Sequence, residues 1–144
     1  MLTQKNSKIA VDNGIPQANI CIKRNKLKIY QSKFIYLDDQ TEFSFELYNP
    51  TTSSVLTKIK LNGNYISTSG IVLRPGERIF LDRFLDEPRK FKFDTYEVKD
   101  NSTNREAIKN NGLVEIEFYG EYIPINTTIW NTGTLINDFY NLLI

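Results

Sequence analysis

Three carboxylates stand close together in the sequence, at Asp82, Asp86 and Glu87. Two carboxylates that flank a sugar can hydrolyse a glycosidic bond, one as the general acid and the other as the base or nucleophile. These acids, however, neighbour Arg83 and Arg89, and such pairs are typical of ion pairing on a protein surface. We therefore predict a structural role for the three carboxylates rather than catalysis.

The chain of 144 residues contains no histidine and one cysteine, Cys21. These counts exclude Ser-His-Asp and Cys-His nucleophile systems, imidazole bases and nearly all zinc sites. A calcium site built on Asp38 and Asp39 lacks the spacing of a calcium loop, and the glycines form no phosphate-binding motif. We expect no catalytic residue, no metal and no cofactor, and therefore a protein that is not an enzyme.

Four arginines lie within twenty residues, at Arg74, Arg78, Arg83 and Arg89. The planar guanidinium group makes bidentate contacts with carboxylates that lysine cannot make. One hypothesis is that this stretch presents a recognition edge to an acidic surface. The slightly favoured alternative is that the arginines hold Asp82, Asp86 and Glu87 in their own turns.

Basic residues are concentrated at the start of the chain. Residues 1–33 carry seven basic groups against one acid, although the net charge of the whole chain is only +1. A basic leading segment, with Lys5, Lys8 and Arg24 as candidate contacts, is suited to an acidic neighbour, either another copy of the chain or a different protein. A solvated basic face is the alternative, and the near-neutral total gives no reason to predict specific binding to nucleic acid.

The strand pattern predicts an all-β fold. Residues 42–48 alternate between apolar and polar side chains, and Val55–Leu61 repeats the alternation before Asn62-Gly63, the dipeptide preferred in tight hairpins. Seven to nine short antiparallel strands are predicted, with one helical turn at residues 105–109. The pattern favours a two-sheet β-sandwich, immunoglobulin-like or jelly-roll-like, over residues 20–121.

The two ends of the chain are predicted to lie outside this domain. Residues 1–19 are polar and interrupted by Gly14 and Pro16, which indicates an extended N-terminal arm. Residues 122–144 form an apolar tail whose Leu135, Ile136, Phe139, Tyr140 and Leu143 fit one stripe of a short helix. This tail either folds back over its own sheet or docks on a partner through Trp130, Leu135 and Phe139. No signal peptide or membrane-spanning segment is predicted.

Residues 45–98 carry a set of short motifs that together resemble a known module. The motifs are Glu46-Leu47-Tyr48-Asn49-Pro50, Lys60-Leu61-Asn62-Gly63, Gly70-Ile71-Val72-Leu73-Arg74-Pro75-Gly76-Glu77-Arg78, Leu81-Asp82-Arg83-Phe84 and Arg89-Lys90-Phe91-Lys92-Phe93. This segment resembles a structural module of virion proteins from crAss-like tailed phages, which infect gut Bacteroides, and modules in virion proteins of large DNA viruses.

The resemblance implies an auxiliary (decoration or cementing) capsid protein that docks on the major capsid protein of a phage head or on other virion proteins. The implied location is the capsid surface of the virion, after synthesis in the host cytoplasm, with no membrane contact. A head-fibre or tail component is the alternative that this resemblance leaves open. Seven tyrosines and Trp130 suggest a second class of function, a carbohydrate-binding β-sandwich that contacts host glycans. The tyrosines are Tyr30, Tyr36, Tyr48, Tyr65, Tyr96, Tyr119 and Tyr122.

Overall fold

The computed structural model describes residues 14–97, 99–120, 124–133 and 140–143. Within these ranges the chain forms thirteen strands and one short helix. In chain order they are β1 (Gln17–Ile22), β2 (Asn25–Lys26), β3 (Phe34–Tyr36), β4 (Thr41–Glu42), β5 (Ser44–Tyr48), β6 (Val55–Leu61), β7 (Asn64–Tyr65), β8 (Ile71–Leu73), β9 (Arg78–Leu81), β10 (Lys92–Glu97), α1 (Ser102–Ile108), β11 (Leu113–Tyr119), β12 (Pro124–Gly133) and β13 (Tyr140–Leu143).

The strands assemble into three sheets, and the prediction of an all-β fold is confirmed. Sheet A has the order β2-β1-β5-β9, and sheet B has the order β3-β12-β11-β6-β7, with β8 also paired to β6. Sheet C has the order β13-β10-β4. All pairs are antiparallel except β3 with β12, which run parallel, so the expectation of purely antiparallel pairing was wrong at this edge.

One cluster of buried hydrophobic residues draws on all three sheets. Its members are Ala18, Ile20, Ile35, Leu37, Phe43, Phe45, Leu47, Val55, Ile59, Leu61, Ile66, Leu73, Phe91, Phe93, Val114, Ile116, Phe118 and Trp130. The alternation in β6 and β11 places every second side chain inward, as the sequence predicts. Phe91 packs against Phe43, Phe45 and Phe84 with ring centroids 5.1–5.7 Å apart, which joins sheet A to the start of β10.

The predicted hairpin at Asn62-Gly63 is confirmed. Leu61 pairs with Asn64 across the turn, and the two central residues have φ angles of 55° and 84°. Both angles are positive, as a type I′ turn requires, and asparagine and glycine tolerate this conformation best.

The short helix is also confirmed, with slightly earlier bounds. Asn101 caps α1 by accepting a hydrogen bond from the backbone N–H of Asn104 at 2.8 Å, because the first turn of a helix leaves its N–H groups without partners. No helix in the described part of the chain has the length and apolar character needed to cross a membrane.

The predicted ends of the domain need correction. Strand β1 begins at Gln17, so the last residues of the predicted N-terminal arm pair with β5. Strand β12 lies inside sheet B between β3 and β11, so the first part of the predicted tail belongs to the domain. Residues 140–143 form a strand that pairs with β10, and not the predicted helix. Lys5, Lys8, Leu135 and Phe139 lie outside the described residues.

Asn49 holds the connection between sheets A and B together. Its fully buried side chain donates through Nδ2 to the carbonyl oxygens of Ser53, Leu73 and Arg74 at 2.8–3.1 Å. Its Oδ1 accepts from the N–H and the hydroxyl of Thr51 at 3.0 and 2.6 Å. The side chain therefore satisfies the backbone of its own loop and of the turn after β8.

We predict that Asn49→Ala lowers the free energy of unfolding by about 3 kcal/mol, because several buried carbonyl and donor groups lose their partner at once. Chemical denaturation followed by circular dichroism measures this change. Thr52→Ala, at an exposed position in the same loop, is the matched control and should change stability by less than about 0.5 kcal/mol. Equal effects of the two substitutions would contradict the role assigned to Asn49.

Candidate protein-binding face

Each of the four clustered arginines forms an ion pair within the chain. The pairs are Arg74 with Glu77 at 3.9 Å, Arg78 with Glu46 at 2.7 Å, Arg83 with Asp82 at 3.0 Å and Arg89 with Glu87 at 2.6 Å. The pairs of Arg83 and Arg89 match the interpretation that these residues hold the acids of their own turns. Arg78 is different, because its partner lies on a neighbouring strand and is buried.

The structure brings two of the predicted contact residues, Arg24 and Arg78, to the outer face of sheet A. This surface is called the cationic face below, and it comprises Asn19, Arg24, Lys26, Glu46, Tyr48, Arg78 and Phe80. On β1 and β5 these positions alternate with the core residues Ala18, Ile20, Phe45 and Leu47, so they point away from the core. Strand pairing aligns Asn19, Glu46 and Phe80 in one row across three strands.

Glu46 is the central residue of the cationic face and is only 6% exposed. Arg78 Nη1 donates to Glu46 Oε2 at 2.7 Å, and Asn19 Nδ2 donates to Glu46 Oε1 at 3.1 Å. Lys26 Nζ lies 3.7 Å from the same Oε1. A buried carboxylate is costly unless it is paired and hydrogen-bonded. Three side chains, one from each of the other three strands of sheet A, hold this carboxylate in place.

Two arginines of the cationic face stack on aromatic rings. The guanidinium carbon of Arg78 lies 4.0 Å from the ring centroid of Tyr48, and that of Arg24 lies 4.5 Å from the centroid of Phe80. Stacking fixes these long side chains in place, which lowers the entropy that they lose when a partner binds. Arginine and aromatic residues are also enriched in protein interfaces. The arrangement therefore presents pre-ordered cations that can bind carboxylates.

The turn between β1 and β2 places basic residues where the backbone is strained. Lys23 and Arg24 are the two central residues of this hairpin and have φ angles of 50° and 66°. The left-handed conformation costs non-glycine residues about 1 kcal/mol each, and Asn-Gly is the dipeptide that normally occupies such a turn. Gln31 and Ser32 adopt the same conformation in the next turn. A left-handed conformation at exposed basic residues makes the turn at Lys23 and Arg24 a candidate contact segment.

A cleft of about 570 Å³ adjoins the cationic face. It is lined by Ile22, Lys23, Arg24, Gln40, Thr41, Glu42, Phe43, Ser44, Phe80, Asp82 and Lys90. Lys23, Arg24 and Lys90 outnumber the two acids of the lining, so an acidic group of a partner is favoured there.

Cys21 lies beneath the cationic face and is fully buried. Burial, together with the nearby Glu46 carboxylate, raises the pKa of its thiol. The thiolate is the reactive form of cysteine, so Cys21 is kept protonated and inert, as its position between two isoleucines predicts.

Other predicted contact residues do not join this face. Arg74 is in the turn between β8 and β9, and Arg83 and Arg89 are in the connection between β9 and β10. Trp130 was expected to contact a partner, but it is 1% exposed and belongs to the core, because β12 is an inner strand of sheet B. The sequence analysis missed Glu46, Tyr48 and Phe80, and only their alternation with core residues marked them as outward-facing.

The described residues place no three metal-ligating side chains together. No protein-family model matches the chain, and neither a curated protein nor a solved structure shows significant similarity to it.

We predict an asymmetry between the two partners of the central ion pair. Arg78→Met leaves a buried carboxylate with weaker compensation, and we expect it to lower the free energy of unfolding by about 2 kcal/mol. Glu46→Gln leaves the Arg78 guanidinium, which is 45% exposed, and the Lys26 ammonium, which is 58% exposed. Both groups can be hydrated, so the cost is about 1 kcal/mol. Urea denaturation of both variants and of the double variant measures these values, and a larger cost for Glu46→Gln would refute the assignment.

A second prediction concerns the raised pKa of the buried Cys21 thiol. Because its folded-state pKa is raised above the ordinary value of 9.0, stability is lost as the pH rises from that value through the folded pKa. Cys21→Ala should therefore lose less stability than the wild-type chain between about pH 7 and pH 10. A thiol reagent should modify Cys21 about 100-fold more slowly in the folded protein than in urea, and equal rates would show that the thiol is accessible.

Proposed function

We propose that this chain is a non-enzymatic structural protein of a virion, and that it acts as an auxiliary capsid protein on the head of a tailed phage. The observation that carries the proposal is the cationic face, with its ordered arginines and the strained basic turn at Lys23 and Arg24. Such a face suits a partner that presents carboxylates, such as an acidic surface of the major capsid protein. The resemblance of residues 45–98 to virion modules is the reason for proposing the major capsid protein as this partner.

The electrostatics of the cationic face support docking on protein. Lys26 and Arg78 pair with a single carboxylate, Glu46, while Arg24 stacks on Phe80 and Lys23 adds a further charge at the edge. The single negative charge of Glu46 neutralises only one of these positive charges, so the electrostatic potential outside the cationic face is positive. Binding to an acidic partner should weaken as salt rises, because surface charges are screened within about 10 Å at 0.1 M salt.

We further propose that sheets A and B form the two layers of a sandwich of the immunoglobulin-like or jelly-roll kind. The core cluster supports this proposal, because sheet A contributes Ala18, Ile20, Phe45 and Leu47 while sheet B contributes residues such as Ile59 and Phe118. Inner faces that interdigitate in this way are typical of packed sheets.

A carbohydrate-binding role and a fibre or tail role stand as alternatives. Tyr30, Tyr65 and Tyr96 are the most exposed tyrosines of the described part of the chain, and aromatic faces stack on sugars. Tyr30 lies next to β3 at one edge of sheet B and Tyr65 is in β7 at the other, while Tyr96 is in sheet C. Their separation favours the protein-binding proposal.

The test is co-sedimentation of the purified chain with empty heads of a crAss-like phage that lack this protein. The wild-type chain is compared with the double variant Lys23→Asn, Arg24→Gly. This variant removes two cations and supplies the preferred dipeptide for a type I′ turn, so we expect it to be more stable by about 1 kcal/mol and yet to bind at least about tenfold more weakly. A melting curve alongside the binding curve separates loss of binding from loss of folding.

The control is the double variant Lys99→Asn, Lys109→Asn, which removes two cations at exposed positions outside the cationic face. It should bind as the wild-type chain does. Equal weakening by both double variants would indicate an unspecific charge effect and contradict the role of the face. Absence of saturable binding by the wild-type chain would reject the capsid proposal, and a glycan array would then test the carbohydrate alternative.

A further inference from the structure

The outer face of sheet B exposes an unusual number of apolar side chains. Tyr65, Val72, Ile125 and Ile129 are each 40–61% exposed. They lie on three strands of this sheet, β7, β8 and β12. Leu56, Val72, Tyr119 and Ile125 also line a common cleft of about 610 Å³. This surface, called the sheet B face below, comprises Leu56, Lys58, Lys60, Tyr65, Val72, Glu115, Glu117, Tyr119, Ile125 and Ile129.

The charges of the sheet B face cancel and are ordered by strand. Both lysines are on β6 and both glutamates are on β11, and the strand register pairs Lys58 with Glu117 and Lys60 with Glu115. None of these lysines forms an ion pair with a glutamate among the described residues; instead, their Nζ atoms lie 5.5 and 4.8 Å from the ring centroid of Tyr65. One strand therefore presents positive charge outward and its neighbour presents negative charge.

Glu117 is fixed in place by two tyrosines. The hydroxyls of Tyr65 and Tyr119 both donate to its Oε1, at 2.8 and 3.0 Å. Hydrogen bonding to this carboxylate raises the pKa of both phenols, so they remain neutral donors. Within the described part of the chain, the second carboxylate oxygen, Oε2, accepts no hydrogen bond, so a cation from outside the chain can pair with it.

We propose that the sheet B face binds the same face of a second copy of this chain, related by a two-fold axis that runs parallel to the strands between β6 and β11. Such an axis exchanges β6 and β11 while it keeps the position along the strands. Each residue on β6 of one copy then faces a β11 residue of the second copy, namely the one that pairs with it in the strand register. Lys58 faces the partner's Glu117, and Lys60 faces the partner's Glu115. Because the contact is symmetric, each of these two ion pairs occurs twice in the dimer.

The apolar residues match under the same operation. Leu56 pairs with Tyr119 in the register, so the two face each other across the axis. Tyr65 lies beside Lys60 at one edge of the sheet B face, and Ile129 lies beside Glu115 at the opposite edge. Tyr65 of one copy therefore faces Ile129 of the other copy. Val72 neighbours Leu56, and Ile125 lies at the bulge of β12 beside Tyr119, so these two exposed aliphatic residues also meet. One symmetry operation therefore satisfies all five kinds of contact.

The size of the face sets the expected strength of the dimer. Four strands about 4.8 Å apart and five residues long give a patch roughly 20 Å on a side when the side chains are included. This is at the low end for specific interfaces, so we expect a dissociation constant in the micromolar range. This inference does not depend on the proposed function, because it uses a different sheet and a different partner.

The test is sedimentation equilibrium of the full chain from about 1 to 500 µM, a range that brackets a micromolar constant. The wild-type chain should shift from monomer to dimer across this range. Lys60→Glu places two glutamates opposite each other at two symmetric sites, and Glu115→Lys does the same with lysines, so each single variant should dimerise about 100-fold more weakly.

A mixing experiment separates this effect from misfolding. When the Lys60→Glu and Glu115→Lys variants are combined in equal amounts, each glutamate at position 60 or 115 of one chain faces a lysine of the other. The mixture should form a heterodimer although neither variant dimerises alone, and an unfolded variant could not do so. A fluorophore on one variant detects the complex by its sedimentation.

Two results would overturn the proposal. The first is a wild-type chain that stays monomeric at the highest concentration. The second is a dimer that survives both single reversals, or a mixture that stays monomeric, since either result places the contact elsewhere or shows that these charges do not meet. Lys99→Glu, a reversal outside the sheet B face, serves as the control and should leave the wild-type dimer unchanged.

Discussion

The buried amide of Asn49 is the constraint on which both surfaces of this domain depend. Its hydrogen bonds fix the end of β8 through Leu73 and Arg74, and its backbone groups bond to Gly76 and Glu77 immediately before β9. Strand β8 carries Val72 of the sheet B face, and β9 carries Arg78 and Phe80 of the cationic face. Short strands contribute few ladder hydrogen bonds of their own, so their position depends on loops whose polar groups are satisfied.

The two faces differ in chemistry and therefore in the partners that suit them. The cationic face has several cations around one buried carboxylate, and it gains nothing from a second copy of itself because like charges would meet. The sheet B face has no net charge and orders its lysines and glutamates by strand, so its own copy is complementary. In a dimer through sheet B, the two cationic faces would point to opposite sides, because sheet A is the other layer of the proposed sandwich, so each cationic face stays open to a partner of its own.

Local sequence signals predicted the elements whose pattern is complete within a few residues. The alternation of β5, β6 and β11, the Asn62-Gly63 turn and helix α1 all belong to this group. Strand β12 was assigned to an apolar tail. Its inward positions include Thr128 and Thr132 beside Trp130, and buried threonines interrupt the apolar alternation that would mark an inner strand. The two-residue strands are too short to show any period, and the parallel pairing of β3 with β12 joins segments that are distant in the sequence.

The candidate site was only partly predictable for a related reason. Residue type alone indicated Arg24 and Arg78, but Glu46 occupies an outward position of an alternating strand, where exposure is expected. Its burial arises because Asn19, Lys26 and Arg78 converge on it from the other three strands of sheet A, and no local pattern contains that information. The basic turn at Lys23 and Arg24 departs from the local preference for Asn-Gly. Local and global preferences normally agree in a folded chain, so the sequence alone did not predict a tight turn at these two residues.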